Sequence, residues 1–132
     1  MLLDLFYEFA MPPWLARSEA QAYADALDEI ELADRLGFHG VWLVEHHLMP
    51  GYSHLSKPDL VLAALARRTT RLRLGLGVIP LPYHHPLHVA ERIGTLDVLS
   101  GGRLEVGIGR GFSPDEYAAF GVEPADSRSR VE

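Results

Sequence analysis

Residues 72–111 read LRLGLGVIPLPYHHPLHVAERIGTLDVLSGGRLEVGIGRG. The stretch divides into three. Residues 72–81, LRLGLGVIPL, form an apolar run that predicts a buried strand. Pro86 is placed to open a helix over residues 86–99, and Gly101-Gly102 is placed to stop it. Residues 104–108, LEVGI, predict the next strand. Strand, helix and strand in so short a span make a βαβ unit, which implies a parallel sheet covered by helices.

The same reading extends in both directions. Towards the N-terminus, residues 2–9 predict a strand, broken by Pro12 and Pro13. Ser18 can cap a helix, with Gln21 at the capping-box position. Ala26, Leu27, Ile30, Ala33 and Leu36 then recur at helical spacing, and Gly37 is a natural stop. Residues 41–44 are a short, wholly apolar strand. Pro58 opens a second helix over residues 59–68. Towards the C-terminus, Ser113-Pro114-Asp115-Glu116 has the cap, first-position proline and early acids of a helix start. The predicted order is β-α-β-α-β-α-β followed by the start of more helix. No repeat, low-complexity segment or linker interrupts it.

Composition sets the remaining bounds. The chain has 132 residues, 48% of them hydrophobic and 23% charged, which predicts one globular domain over residues 1–132. Its net charge of −6 argues against nucleic acid, whose phosphates need a basic face. No cysteine is present, so disulfides, thiolate metal sites and a cysteine nucleophile are excluded. A reducing cytoplasm fits that composition. The opening MLLDLFYEF lacks the basic start and long apolar run of a secretion signal, and no run approaches a membrane span.

Two architectures use consecutive βα units: an open doubly wound sheet and an eight-stranded (β/α)8 barrel. Both gather ligands at the carboxyl ends of their strands. Three polar or glycine-rich segments fall at that end: Glu45-His46-His47 after the second strand, residues 80–86 after the third, and Gly109-Arg110-Gly111 after the fourth. Each has an ordinary reading and a functional one. Glu45, His46 and His47 are metal ligands, acid–base groups, a cofactor clasp, or polar residues where a strand meets water. Side chains alternate along a strand, so His46 and His47 face one site only if the strand has already ended. The wider set Glu45, His46, His47, His54, His84 and His85 matches no recognised metal spacing. Gly75 and Gly77 weaken a central strand, so packing, a bulge or a close approach must account for them.

Taken in order, GFHGVWLVEHH at residues 37–47, the stretch at 72–111 and DSRSR at 126–130 resemble the N-terminal half of the bacterial luciferase-like, flavin-dependent monooxygenases. The resemblance covers nearly the whole chain. It implies an α/β fold of the (β/α)8 TIM-barrel type, with about the first four βα units present. Such a barrel runs to about 250 residues, so the expectation is a truncated chain, or a half-barrel completed by another chain. The resemblance implies reduced FMN as cofactor, with a deazaflavin as the alternative. It implies O2 and a small organic substrate, and a separate flavin reductase as partner. It also implies either a homo-oligomer, with the helices at 59–68 and 87–99 as a contact face, or a complementing C-terminal half. The non-catalytic alternative is a flavin-binding half-barrel.

Residue by residue, the resemblance assigns His46 an acid–base role near the flavin, which suits an imidazole. It places Glu45 at a flavin-contacting position, with His47 supporting it. It implies a bulge with a non-prolyl cis peptide at Gly77-Val78 beneath the flavin ring. Arg110 and Arg128 match arginines that hold the flavin phosphate, for which a planar guanidinium is apt. Phe112 lies where a side chain packs on the flavin. Glu116 matches an acidic position near the luciferase centre, but its ordinary reading as a charge in a first helical turn is preferred. Met11, Trp14 and Met49 are read as rim or core rather than substrate pocket. Light-emitting members carry a reactive cysteine where this chain has Gly109, which argues against light emission.

Overall fold

The computed structural model describes residues 1–131. Four strands, β1 (Asp4–Tyr7), β2 (Gly40–Leu43), β3 (Arg73–Pro80) and β4 (Leu104–Gly109), form one sheet in the order β1-β2-β3-β4. Every neighbouring pair is parallel. Helices α1 (Glu19–Leu36), α2 (Pro58–Arg68) and α3 (Pro86–Ser100) connect them, and α4 (Pro114–Ala119) follows β4. The strands thus lie in sequence order, as in one side of a barrel, and not in the shuffled order of a doubly wound sheet.

Local chemistry accounts for the boundaries. The Ser18 hydroxyl accepts the Gln21 N–H at 3.2 Å and starts α1. The Gln21 side chain does not close the capping box; its amide donates to Asp25, one turn on. Gly37 and Gly101 end α1 and α3 at φ +84° and +69°, where a Cβ would be strained. The first strand is shorter than the apolar run predicts. Phe9 turns back at φ +53° and buries its ring against Tyr7 and Tyr23, leaving the strand line.

The sheet has two unlike faces. Leu5 and Tyr7, Val41 and Leu43, and Leu74 and Leu76 point to the helices and join Ile30, Leu62 and Leu65 in the core. Each fully buried side chain of this size stabilises the fold by about 1.5–3 kcal/mol. The opposite face carries Phe6, Trp42, Gly75 and Glu105 in register across the four strands. Trp42 lies over Gly75 so closely that a Cβ there would sit 2.5 Å from the indole. Packing, not ligand approach, explains that glycine. Among the described residues, no helix is long and apolar enough to cross a membrane.

Candidate functional site

The register between β3 and β4 slips once. Leu76 pairs with Val106, but Ile79 pairs with Ile108, so β3 bulges by one residue. The Gly77–Val78 peptide inside the bulge is cis, at the position the family resemblance implies. A Cβ at Gly77 would meet Trp42 no closer than 3.4 Å, whereas one at Gly109 would lie 2.6 Å from Val78 Cγ2. The bulge therefore pushes the Val78 side chain over β4, which answers with glycine.

At the carboxyl ends of the strands a cavity of about 220 Å3 opens against this bulge. Gly77, Val78, Glu45, His46 and Phe112 line it, with Phe6, Val44 and Tyr52. Five sequence-predicted site residues therefore meet in one place. Arg110 and Arg128 stand outside this lining and are exposed, Arg110 at the cavity's edge beside Gly111 and Arg128 beyond the short turn Pro124–Asp126.

Glu45, His46 and His47 follow the last residue of β2, so strand alternation no longer governs them. The His46 N–H donates to Leu55 at 2.9 Å and pins the loop to the body. Glu45 is buried, and its Oε1 receives His47 Nε2–H at 3.0 Å and His84 Nε2–H at 2.6 Å. Burial opposes ionisation, but the hydrogen bonds from His47 and His84 outweigh it and bring the carboxyl down to about 2. A carboxylate only accepts, so both histidines present a proton at Nε2. The Glu45 carboxylate is thus taken up by protein partners, which limits its contribution to the cavity wall.

Glu116 lies in the first turn of α4, as the sequence reading has it, but it is buried there, 1% exposed, and turned to the loop that carries His46. It accepts the His47 backbone N–H at 2.7 Å and meets His46 Nδ1 at 3.4 Å, the long end of hydrogen bonding. Tyr83 donates to its other oxygen at 3.3 Å. Burial and the nearby Glu116 charge push the Tyr83 phenol well up. The Glu116 contact engages Nδ1 of His46 and leaves Nε2 outside it. The rings of Phe112 and Tyr52 lie edge-on to His46 at 5.6 and 5.4 Å.

The loop after β4 is equally constrained. Gly111 adopts φ +78°, and a Cβ there would collide with the Tyr83 hydroxyl. Tyr117 donates to the carbonyls of Arg110 and Gly111 at 3.1 and 2.8 Å. Leu48, next to His47, is held at φ +58°, at a cost on the order of 1 kcal/mol for a residue with a side chain. Sequence reasoning passed over His84 as a site residue and missed Tyr83, Tyr52 and Glu8. Among the described residues, no group of three or more His, Cys, Asp or Glu is arranged to hold a metal ion. Met49 stands beside the cavity, lining an open depression with Leu48 and Pro50, while Trp14 is largely exposed.

With the geometry in place, comparison with known proteins adds a second line of observation. A family model described as luciferase-like monooxygenase matches residues 2–132. The chain is similar to limonene 1,2-monooxygenase of Rhodococcus erythropolis, 45% identical over 124 residues, covering 92% of this chain and 32% of that protein. Its fold is similar to monooxygenase RslO1 of Streptomyces bottropensis, with a TM-score of 0.91 and 39% identity, covering 98% of this chain and 39% of that one. It is also similar to the oxygenating constituent of 3,6-diketocamphane monooxygenase of Pseudomonas putida, a type II Baeyer–Villiger monooxygenase in complex with FMN. That likeness has a TM-score of 0.91 and 26% identity, and covers 99% of this chain and 37% of that one. The chain spans about a third of the length of these relatives.

Proposed function

This chain belongs to the luciferase-like monooxygenase family, and from that premise we propose that it forms the flavin-binding half of an oxygenase that inserts one atom of O2 into a small organic substrate. The observation that carries the reading is the cavity bounded by the Gly77–Val78 peptide, His46 and Phe112. Its walls suit a flat ring: the exposed edge of the bulged peptide, the side chains of Val78 and Phe112, and Phe6 below. FMN is the cofactor proposed. When reduced it supplies the activation of O2 and the two electrons of the reaction.

Each residue then has a task. Gly77 and Val78 offer backbone to the ring. His46, anchored at Nδ1 by Glu116, holds or moves a proton at Nε2. The buried Glu45 keeps His47 and His84 in one tautomer and stiffens the loop that carries His46. Phe112 and Tyr52 exclude water around the imidazole, which protects reactive species from hydrolysis. Arg110, on the loop clamped by Tyr117, would pair with the flavin phosphate, with Arg128 as a second arginine for it. The reduced flavin arrives from a separate reductase. The rest of the barrel, or a partner chain, completes the pocket. Leu60, Ala63, Leu96 and Leu99 line an apolar groove between α2 and α3 that offers a contact face for such assembly.

Anaerobic calorimetry with reduced FMN tests the reading. The expected result is a dissociation constant in the micromolar range, about −8 kcal/mol. Arg110→Ala should weaken it about tenfold, the value of one lost charge-assisted hydrogen bond. No binding by the chain, with and without the remaining barrel half, overturns the proposal. Equal binding of a deazaflavin and transfer of hydride without O2 consumption would select the reductase alternative.

A further inference from the structure

Glu8 is absorbed by none of the roles above. It follows β1 on the same face as Phe6 and lines the cavity with Phe6, His46, Tyr52 and Phe112. Its Oε1 accepts the Tyr52 hydroxyl at 3.3 Å. Its Oε2 is buried and has no hydrogen-bond partner among the described residues. The Glu8 charge pushes the Tyr52 phenol up, so Tyr52 stays the donor of this pair. Phe9, the next residue, is held in the left-handed region at φ +53°, and its carbonyl accepts the His54 N–H at 3.2 Å. The backbone beyond Glu8 is thus fixed, and the carboxylate stays by the cavity.

A buried carboxylate oxygen lacking a donor is costly, more so beside apolar walls. Phe6, Val44, Val78 and Phe112 supply such walls here. We propose that Glu8, supported by Tyr52, is the specificity-determining residue of this cavity, selecting organic substrates with an apolar body and one hydrogen-bond donor, a protonated amine above all. A ligand carboxylate would face the Glu8 charge and be rejected. The inference rests on reading this cavity as the flavin site, with the substrate's donor meeting Glu8 beside the ring, but its test does not require flavin.

The test titrates the chain, with and without FMN, against cyclohexylammonium, cyclohexanol and cyclohexanecarboxylate, followed by amide chemical shifts. The expected result is that cyclohexylammonium binds about tenfold or more tighter than the carboxylate, the value of one charged hydrogen bond in a shielded site. Shifts should centre on Glu8, His46, Tyr52 and Phe112. Glu8→Gln should abolish the preference. Glu8→Leu should do the same and is judged only where circular dichroism shows a native fold, Glu8→Gln serving otherwise. Equal binding of ammonium and carboxylate overturns the proposal, as does a preference that survives Glu8→Gln. Loss of FMN affinity in Glu8→Gln also overturns it, since the donor facing Glu8 would then be the flavin. If the wild-type chain bound no FMN, the flavin reading would fall while the ammonium preference still decided the role of Glu8.

Discussion

The two ends of the sheet both bury carboxylates, and they satisfy them differently. At the amino ends, Asp34 accepts the backbone N–H groups of Thr70, Arg71 and Leu72 at 2.9, 3.0 and 2.7 Å. Arg103 beside it donates to the carbonyls of Ala66, Leu72 and Ser100. Most of these partners are main chain; the hydroxyls of Thr70 on Asp34 and of Thr69 on Arg103 complete the set. At the carboxyl ends, Glu45 is met by the imidazoles of His47 and His84, Glu116 by the His47 backbone N–H together with His46 and Tyr83, and one buried Glu8 oxygen has no partner among the described residues. A carboxylate fastened to backbone amides has one state and serves the fold. A carboxylate fastened to imidazoles has neighbours that can take or give a proton, which chemistry requires.

The contrast is broken most severely at Asp34. Asp34→Ala strands three backbone donors, so urea denaturation should show a loss of about 3 kcal/mol. FMN affinity, measured while the variant is still folded, should change less than about twofold; a large change would mean that the two ends are not separable. A middle case is Gly75, between the ends. Gly75→Ala drives a methyl into Trp42 and should cost about 2 kcal/mol. In a Trp42→Ala background the same change should cost under about half as much, because the two sites share one space. The smallest signal is a slope. Glu45 is depressed in the folded chain, so it adds stability above its ordinary value of 4.5, and that stability is lost as pH falls towards about 2. Asp34 is also depressed: burial raises it, but the amides of Thr70, Arg71 and Leu72 pull it lower. Asp4 is depressed as well, by its hydrogen bonds from Trp42 and His39, so acid titration of Glu45→Gln should retain the Asp34 and Asp4 parts of the slope and lose only that of Glu45.

Elements were legible where their signals are local. Ser18, Gly37, Pro58, Pro86, Gly101 and Ser113 each act within a turn or two of their own position, and each marks a real helix end. The meeting of Glu45 and His46 with the loop after β4 was legible because parallel strands deliver their carboxyl ends to one face, whereas Gly77, Val78 and Phe112 were placed there only by the family resemblance. Glu116 was not, since an acid in a first helical turn looks the same whether it faces water or a neighbouring loop. Glu8 left no trace, because its partner Tyr52 comes from a distant loop. Arg103, in the SGGR stretch, shows the converse: a charge within a recognisable motif that acts as a clamp on carbonyls.

The contact between Gly109 and Val78 bears on how such proteins can diverge. A side chain at position 109 would have to occupy the space of a Val78 methyl, and valine is stiff about its first torsion. The two positions are therefore epistatic. A lineage of this kind reaches a cysteine at 109 only after trimming 78 to something smaller, so the order of substitutions is set by volume before selection for any new chemistry can act.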